Sequence, residues 1–215
     1  MKPPLVFHGS DGYRRELVPG WTLDYCLGLD LGQVNDPTAL CVVEKRTKRD
    51  EPTIYGIRAL ERWLGVPYPE QVRRVMDRLA LPPLDRARAL IIDRTGVGRA
   101  VFDAFREARP ACAVIGATIT GGDAAHKDDR GGWSLPKRDL VGVAQMLLMQ
   151  RRIEIAPALA EAETLASELR DFRVKISPAG HDSYDAREGR HDDLLFAACL
   201  AVWGAEKSLS QFEAW

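Results

Sequence analysis

The chain has 215 residues, 46% of them hydrophobic, and a formal net charge of -1. That length suits one well-filled domain, and the near-neutral charge excludes a surface that is basic all over, so a polyanionic partner would have to be met by local patches. The longest apolar run, Leu194 to Trp203, is too short to cross a bilayer, and the first residues lack the apolar segment of a secretory signal, which excludes a membrane partner.

In chain order, residues 1–21 carry Pro3, Pro4, Gly9, Gly12, Pro19 and Gly20 without periodicity and read as an extended leader or linker. Tyr25 to Leu31 reads as a buried strand, Gly32 to Pro37 as a turn, Thr38 to Lys45 as a second strand and Thr53 to Trp63 as a third, together an antiparallel meander. Apolar residues at Val72, Val75, Met76 and Leu79 predict an amphipathic helix from Pro69 to Leu81. Arg88 to Asp93 is then a strand, Arg99 to Ala108 a helix and Cys112 to Thr118 a strand. Gly121 to Trp133 is a polar loop. Ser134 is placed to cap a helix with Pro136 in its first turn, and a further helix fits Ala158 to Arg170. Phe172 to Ser177 and His181 to Ala186 flank Pro178-Ala179-Gly180 as a hairpin, and an almost wholly apolar helix runs from about Asp192 to Lys207. The main domain therefore spans residues 22–208, followed by a 209–215 tail. The class is α/β, with a central mixed sheet of a three-strand antiparallel meander plus parallel strands, flanked by helices.

Cys26, Cys41, Cys112 and Cys199 lie in apolar stretches without Cys-x-x-Cys spacing, which argues against a zinc knuckle or a disulfide framework. They read as buried thiols of a reducing, cytoplasmic setting. Arginine outnumbers lysine 23 to 7; the guanidinium fork suits phosphate, and high genomic GC content would give the same bias.

The chemistry lies in the aspartates. Asp30 interrupts the apolar strand Cys26-Leu27-Gly28-Leu29-Asp30-Leu31-Gly32, where an unpaired charge is costly. Asp93 ends the strand "RALIID" just before a glycine-bearing turn into a helix, the place where open α/β sheets present their sites. Either one alone equally suits a turn former or a helix cap. Asp192 and Asp193 stand together at the start of the most apolar helix. One of them is explained as a cap, since a helix N-terminus stabilises a carboxylate by up to about 1 kcal/mol, but a repelling pair calls for something more. Divalent cations do that, because hard cations take carboxylate oxygens and two such ions can clamp an in-line displacement at phosphorus. The three positions converge only if the two strands are neighbours.

Read in order, Gly28-Leu29-Asp30-Leu31-Gly32, Asp36-Pro37-Thr38-Ala39, Asp93-Arg94-Thr95-Gly96-Val97-Gly98, Pro136-Lys137-Arg138-Asp139-Leu140 and His191-Asp192-Asp193-Leu194 resemble the nuclease domain of tailed-phage terminase large subunits over roughly residues 23 to 206. The resemblance implies a ribonuclease H-like fold and a metal-dependent DNA endonuclease that cuts concatemeric phage or prophage DNA during packaging by two-metal phosphodiester hydrolysis. It implies two Mg²⁺ or Mn²⁺ ions, with Asp30 bridging both, Asp93 holding one, and Asp192 or Asp193 or both completing the cage. The sequence leaves that last choice open, with Asp193 slightly favoured. Gly96 and Gly98 suit a close backbone approach to substrate and equally a tight turn. Lys137 and Arg138 are placed to meet the DNA backbone, although a solvated helix face is the plainer role for Arg138. His191 either touches the site or simply precedes the helix.

The implied partners are double-stranded DNA and packaging proteins such as the small terminase and portal. The chain carries no Gly-x-x-x-x-Gly-Lys-[Ser/Thr] loop, so it is expected to be either an isolated nuclease domain or a nuclease whose separate ATPase motor is supplied in trans. Three other readings share some of these residues. A Holliday-junction resolvase would use the same carboxylates on branched DNA. A sugar-kinase or actin-like ATPase shares Gly-Leu-Asp-Leu-Gly but needs a second lobe. A catalytically dead module would dock on DNA or a packaging partner.

Overall fold

The computed structural model describes residues 20–32, 36–95, 99–128, 132–171, 173–176, 182–185 and 192–207. The expectations that fall on residues 1–19 of the leader, Gly96, Gly98, the 178–180 turn, His191 and the 209–215 tail lie outside them.

The meander forms and is longer than its apolar core. β1 (Trp21–Asp30) pairs antiparallel with β2 (Thr38–Lys48), from Trp21 opposite Lys48 to Asp30 opposite Ala39. β3 (Ile54–Trp63) extends β2 antiparallel, with an irregularity between Val42 and Val43. At the end of β1, a Cβ on Gly32 would stand 2.1 Å from the Asp36 carbonyl oxygen, so only glycine fits. Its amide donates to the Thr38 hydroxyl at 3.0 Å, and Thr38 donates to Gln71. Gln71 belongs to α1 (Tyr68–Leu79), which starts with proline in its first turn as expected.

After α1 come β4 (Ala89–Asp93), α2 (Arg99–Glu107), β5 (Ala113–Thr120), β6 (His126–Lys127), β7 (Trp133–Pro136), α3 (Lys137–Met149), β8 (Ile153–Ile155), α4 (Ala162–Asp171), β9 (Arg173–Ile176), β10 (Asp182–Asp185) and α5 (Asp193–Glu206). The eight-stranded sheet has the order β6-β7-β5-β4-β1-β2-β3-β8, with β1, β4, β5 and β7 parallel in succession. β9 and β10 pair antiparallel as the expected hairpin, separate from the main sheet.

Three local expectations are corrected, and one short strand is added. Ser134 does not cap a helix: Trp133–Pro136 is a strand alongside Ala117 to Thr120, and α3 begins only at Lys137, with Pro136 at its N-cap. Proline keeps the preceding residue extended, so Leu135 stays in the strand, and the Ser134 hydroxyl lies 3.3 Å from that of Thr120 instead. The polar loop contains β6, which folds back on β7. β8 joins the edge at β3 and is too short to show periodicity. α4 begins at Ala162 rather than Ala158, because residues 156–162 are used in turns in which Leu159 donates to Ala156 and Ala162 to Leu159.

Alternation along the strands divides the core in two. Tyr25, Leu27, Leu29, Leu40, Val42, Leu90 and Ile92 face one way, against α1 and α2. Cys26, Ala39, Cys41, Val43, Leu60, Ala89 and Ile91 face the other, where α5 lies buried from Asp193 to Ala205 with α3 and α4 beside it. Three of the four cysteines are buried free thiols as expected, but Cys112 is partly exposed. No helix among the described residues is long and apolar enough to cross a membrane.

Candidate metal centre

The period of two in a strand decides which way each candidate points. Gly28 faces α5, so Asp30, two residues on, faces the same side at the strand's end. Ile91 also lies on the α5 side, so Asp93 does too. β1 and β4 are adjacent and parallel, with Leu29 opposite Ile92, which sets Asp30 and Asp93 side by side one residue further on. On β3, Leu60 belongs to the α5 side and so does Arg62, which is paired in register with Ala39, itself opposite Asp30.

α5 brings the third element. Its N-cap is Asp192 and its first residue Asp193, which is only 6% exposed. A Cβ on Gly28 would stand 2.0 Å from the Ala197 carbonyl oxygen, so the helix backbone rests on β1 one turn past Asp193. That contact delivers the acidic end of α5 to the carboxyl ends of β1 and β4.

The electrostatics register the crowding. Burial pushes the Asp30 carboxyl well above its ordinary pKa, and the charges of Asp93, Asp193, Asp192 and Glu168 push it further. Burial also raises Asp93, opposed by hydrogen bonds from Thr95 and by the charge of Lys137; the Thr95 amide donates to Asp93 Oδ1 at 2.8 Å. The other three predicted aspartates thus all lie within electrostatic reach of Asp30.

Two cationic side chains sit in this group. Arg62 donates to Asp193 Oδ1 at 2.8 Å, and Lys137 Nζ is 3.9 Å from Asp192 Oδ2 while lying over the Phe196 ring at 4.8 Å. Lys137 therefore reaches into the carboxylate group. Arg138 holds the loop instead, donating to the Asp123 carbonyl at 2.8 Å.

Two residues of the site were not singled out from sequence. Glu168 on α4, 8% exposed, accepts from the Leu195 amide at 2.7 Å and so caps the first turn of α5 from outside that helix. Burial raises its pKa to about 7. In sequence it is one acid among several on an amphipathic helix, with no local signal. Arg62 did leave one: it shares a face with Leu60 in an alternating strand, an inward cation that needs an anion.

The donor set fits a divalent cation. All the groups are hard oxygens, and both Asp193 Oδ2 and Glu168 Oε1 are buried with no hydrogen-bond partner among the described residues, a costly state that an ion would relieve. Among the described residues no three potential ligands are already drawn into one ion-holding cluster.

The model of the terminase RNase H-like domain matches residues 27–203. The chain belongs to that family. In fold this terminase domain is similar to the large terminase nuclease of thermophilic phage G20c with bound magnesium, at TM-score 0.63 and 20% identity, covering 96% of this chain and 94% of that one. It is similar to the large terminase nuclease domain of Thermus phage P74-26, at TM-score 0.58 and 18% identity, covering 93% and 89%. Against the large terminase of a further thermophilic bacteriophage it covers 82% of its own length but 38% of that chain, at TM-score 0.57 and 12% identity. No curated protein sequence matches it. The family places the terminase domain on the expected ribonuclease H-like fold.

Proposed function

We propose that this terminase domain is a divalent-metal-dependent DNA endonuclease that cuts concatemeric phage DNA during packaging. The observation that carries the proposal is the convergence of Asp30, Asp93, Asp192 and Asp193 at one end of the sheet, with a buried Asp193 oxygen that has no partner among the described residues. Asp30, Asp93 and Asp193 would hold Mg²⁺ or Mn²⁺, two ions in this reading, and the magnesium-bound G20c nuclease supports the choice of metal. Bound there, such ions supply Lewis acidity at phosphorus and lower the pKa of water.

The residues divide the work by position. Asp30 lies centrally, beside Asp93 in the sheet and facing the α5 end, and would contribute its carboxylate to the cation site. The Thr95 amide occupies Asp93 Oδ1 and fixes that side chain's orientation. Asp193 is the better ligand of the α5 pair, because it is buried and one of its oxygens has no partner among the described residues, whereas Asp192 is partly exposed beside Lys137. Lys137, paired with Asp192, would also face a phosphate that approaches the acidic group, and Arg138 donates to the Asp123 carbonyl of the 121–128 loop. Double-stranded DNA is the substrate, and an ATPase motor, the small terminase and the portal are the packaging partners in this reading, in the host cytoplasm.

The test is plasmid nicking with Mg²⁺ or Mn²⁺ by wild type, Asp30→Asn and Asp193→Ala. Cutting of linear and supercoiled duplex by wild type alone is expected. Cutting in EDTA, or full activity of Asp30→Asn, would overturn the mechanism, and strict selectivity for four-way junctions would favour the resolvase reading.

A further inference from the structure

We infer that Glu168 is a fifth carboxylate of the cation site, which caps α5 with one oxygen and offers the other to the metal. The inference rests on the metal-centre reading above and adds a residue from α4, an element that carries none of the four aspartates.

Glu168 is more than nine-tenths buried, and its two oxygens have different fates. Oε2 accepts from the Leu195 amide at 2.7 Å, in the first turn of α5 and two residues past Asp193. Oε1 is buried with no partner among the described residues, as is Asp193 Oδ2. A cap alone needs one oxygen and no charge: a glutamine would accept from Leu195 equally well and could place its amide where Oε1 is. A buried carboxylate set among Asp30, Asp192 and Asp193 instead raises the local negative charge, at a cost in the metal-free protein that Arg62 offsets only in part. A cation reverses that balance, because an anionic oxygen already fixed by a helix cap loses little freedom on binding.

Glu168 is tied to the first turn of α5 two residues past Asp193, and its charge acts on Asp30. It would therefore join the cation site together with Asp30 and Asp193. It acts directly or through one water, and both routes need its negative charge.

The experiment is Mn²⁺ titration of the DNA-free protein, followed by calorimetry and by the electron paramagnetic resonance signal of free Mn²⁺, for wild type, Glu168→Gln, Glu168→Ala and Asp30→Asn, with each variant's unfolding temperature in EDTA. Glu168→Gln is expected to keep or raise the unfolding temperature in EDTA and to weaken Mn²⁺ binding about tenfold or more, the range seen when groups around a metal site are lost. Glu168→Ala should weaken binding similarly and also lower the unfolding temperature, because the cap is gone. Glu168→Asp keeps the charge on a shorter arm and serves if neither variant folds; its Mn²⁺ affinity should lie closer to that of wild type than to that of Asp30→Asn. Wild-type Mn²⁺ affinity in Glu168→Gln, with binding lost in Asp30→Asn, overturns the role of Glu168 and leaves the metal centre standing. No Mn²⁺ binding by wild type overturns both.

Discussion

Gly28 and Ala197 are in backbone contact: a Cβ on Gly28 would lie 2.0 Å from the Ala197 carbonyl oxygen and 2.6 Å from the Ala201 amide nitrogen. Nothing at Ala197 or Ala201 can yield, since both atoms belong to the buried α5 backbone. Gly28→Ala must push the helix off the strand, and overpacking of this kind costs about 3 kcal/mol or more. Because Asp193 rides on the same helix, Mn²⁺ affinity should fall together with stability. Denaturant unfolding and a Mn²⁺ titration check this; a variant of wild-type stability would show that the contact does not fix α5.

Arg62 is the counter-ion of Asp193, at 2.8 Å in a pair whose Arg side chain is 22% exposed. Breaking a well-buried pair costs about 3 to 5 kcal/mol, and exposure reduces that to roughly 2 kcal/mol for Arg62→Met here. The loss should appear in EDTA and shrink in Mg²⁺, because a divalent cation would take over the neutralisation of Asp193. Thermal melts in the two buffers measure the difference. An equal loss in both would mean that Arg62 supports the fold independently of any cation.

The crowded carboxylates set a pH dependence. Folding raises the pKa of Asp30 and Asp93, and raises Glu168 to about 7 from an ordinary 4.5. Such a group binds more protons folded than unfolded between its two pKa values, so its contribution falls as pH rises through that interval. In EDTA, the unfolding temperature should therefore drop between about pH 5 and pH 8, and Mg²⁺ should flatten the curve by favouring the charged forms. A metal-free melting temperature that rises over this range would contradict the crowding.

Asp30→Asn follows from the same physics with opposite effects on stability and activity. Removing a carboxylate whose charge is opposed by burial and by four neighbouring acids should raise the unfolding temperature in EDTA while abolishing Mg²⁺-dependent nicking. Stability that falls in this variant would mean that Asp30 has a structural partner outside the carboxylate group.

The loop after β5 is tied to the residue that follows Asp93. Arg94 bonds Thr118 at 3.2 Å, pairs with Asp128 and lies over the Phe102 ring at 5.8 Å. Arg94→Ala is expected to make the 121–132 segment the first site of limited proteolysis, with the rest of the domain intact. Unchanged cleavage kinetics would show that the hairpin of β6 and β7 holds the loop by itself.

Much of this architecture is legible before folding. The meander, the strand ending at Asp93, α1, α2 and the apolar α5 follow from periodicity, because each buries a face or a whole surface against the same sheet. β6 and β8 were hidden by their shortness, and the strand at Trp133–Pro136 was hidden by a serine and a proline that imitate a helix start. Asp30, Asp93 and the α5 pair stood out as charges in apolar surroundings. Glu168 did not, because an acid on an amphipathic helix looks solvated until another helix covers it.

By itself, then, the sequence determined the meander, β4, β5, α1, α2 and α5, and marked Asp30, Asp93 and the α5 pair as acids too costly to bury without a purpose, since both depend on local pattern and desolvation. Only the tertiary structure decided that β4 pairs with β1 rather than elsewhere, that Gly28 lets α5 lie directly on the sheet, and that Arg62, Lys137 and Glu168 join the aspartates. Those relations join residues far apart in the chain, as with Arg62 and Asp193, and their energies arise only once the chain has brought them into one low-dielectric place.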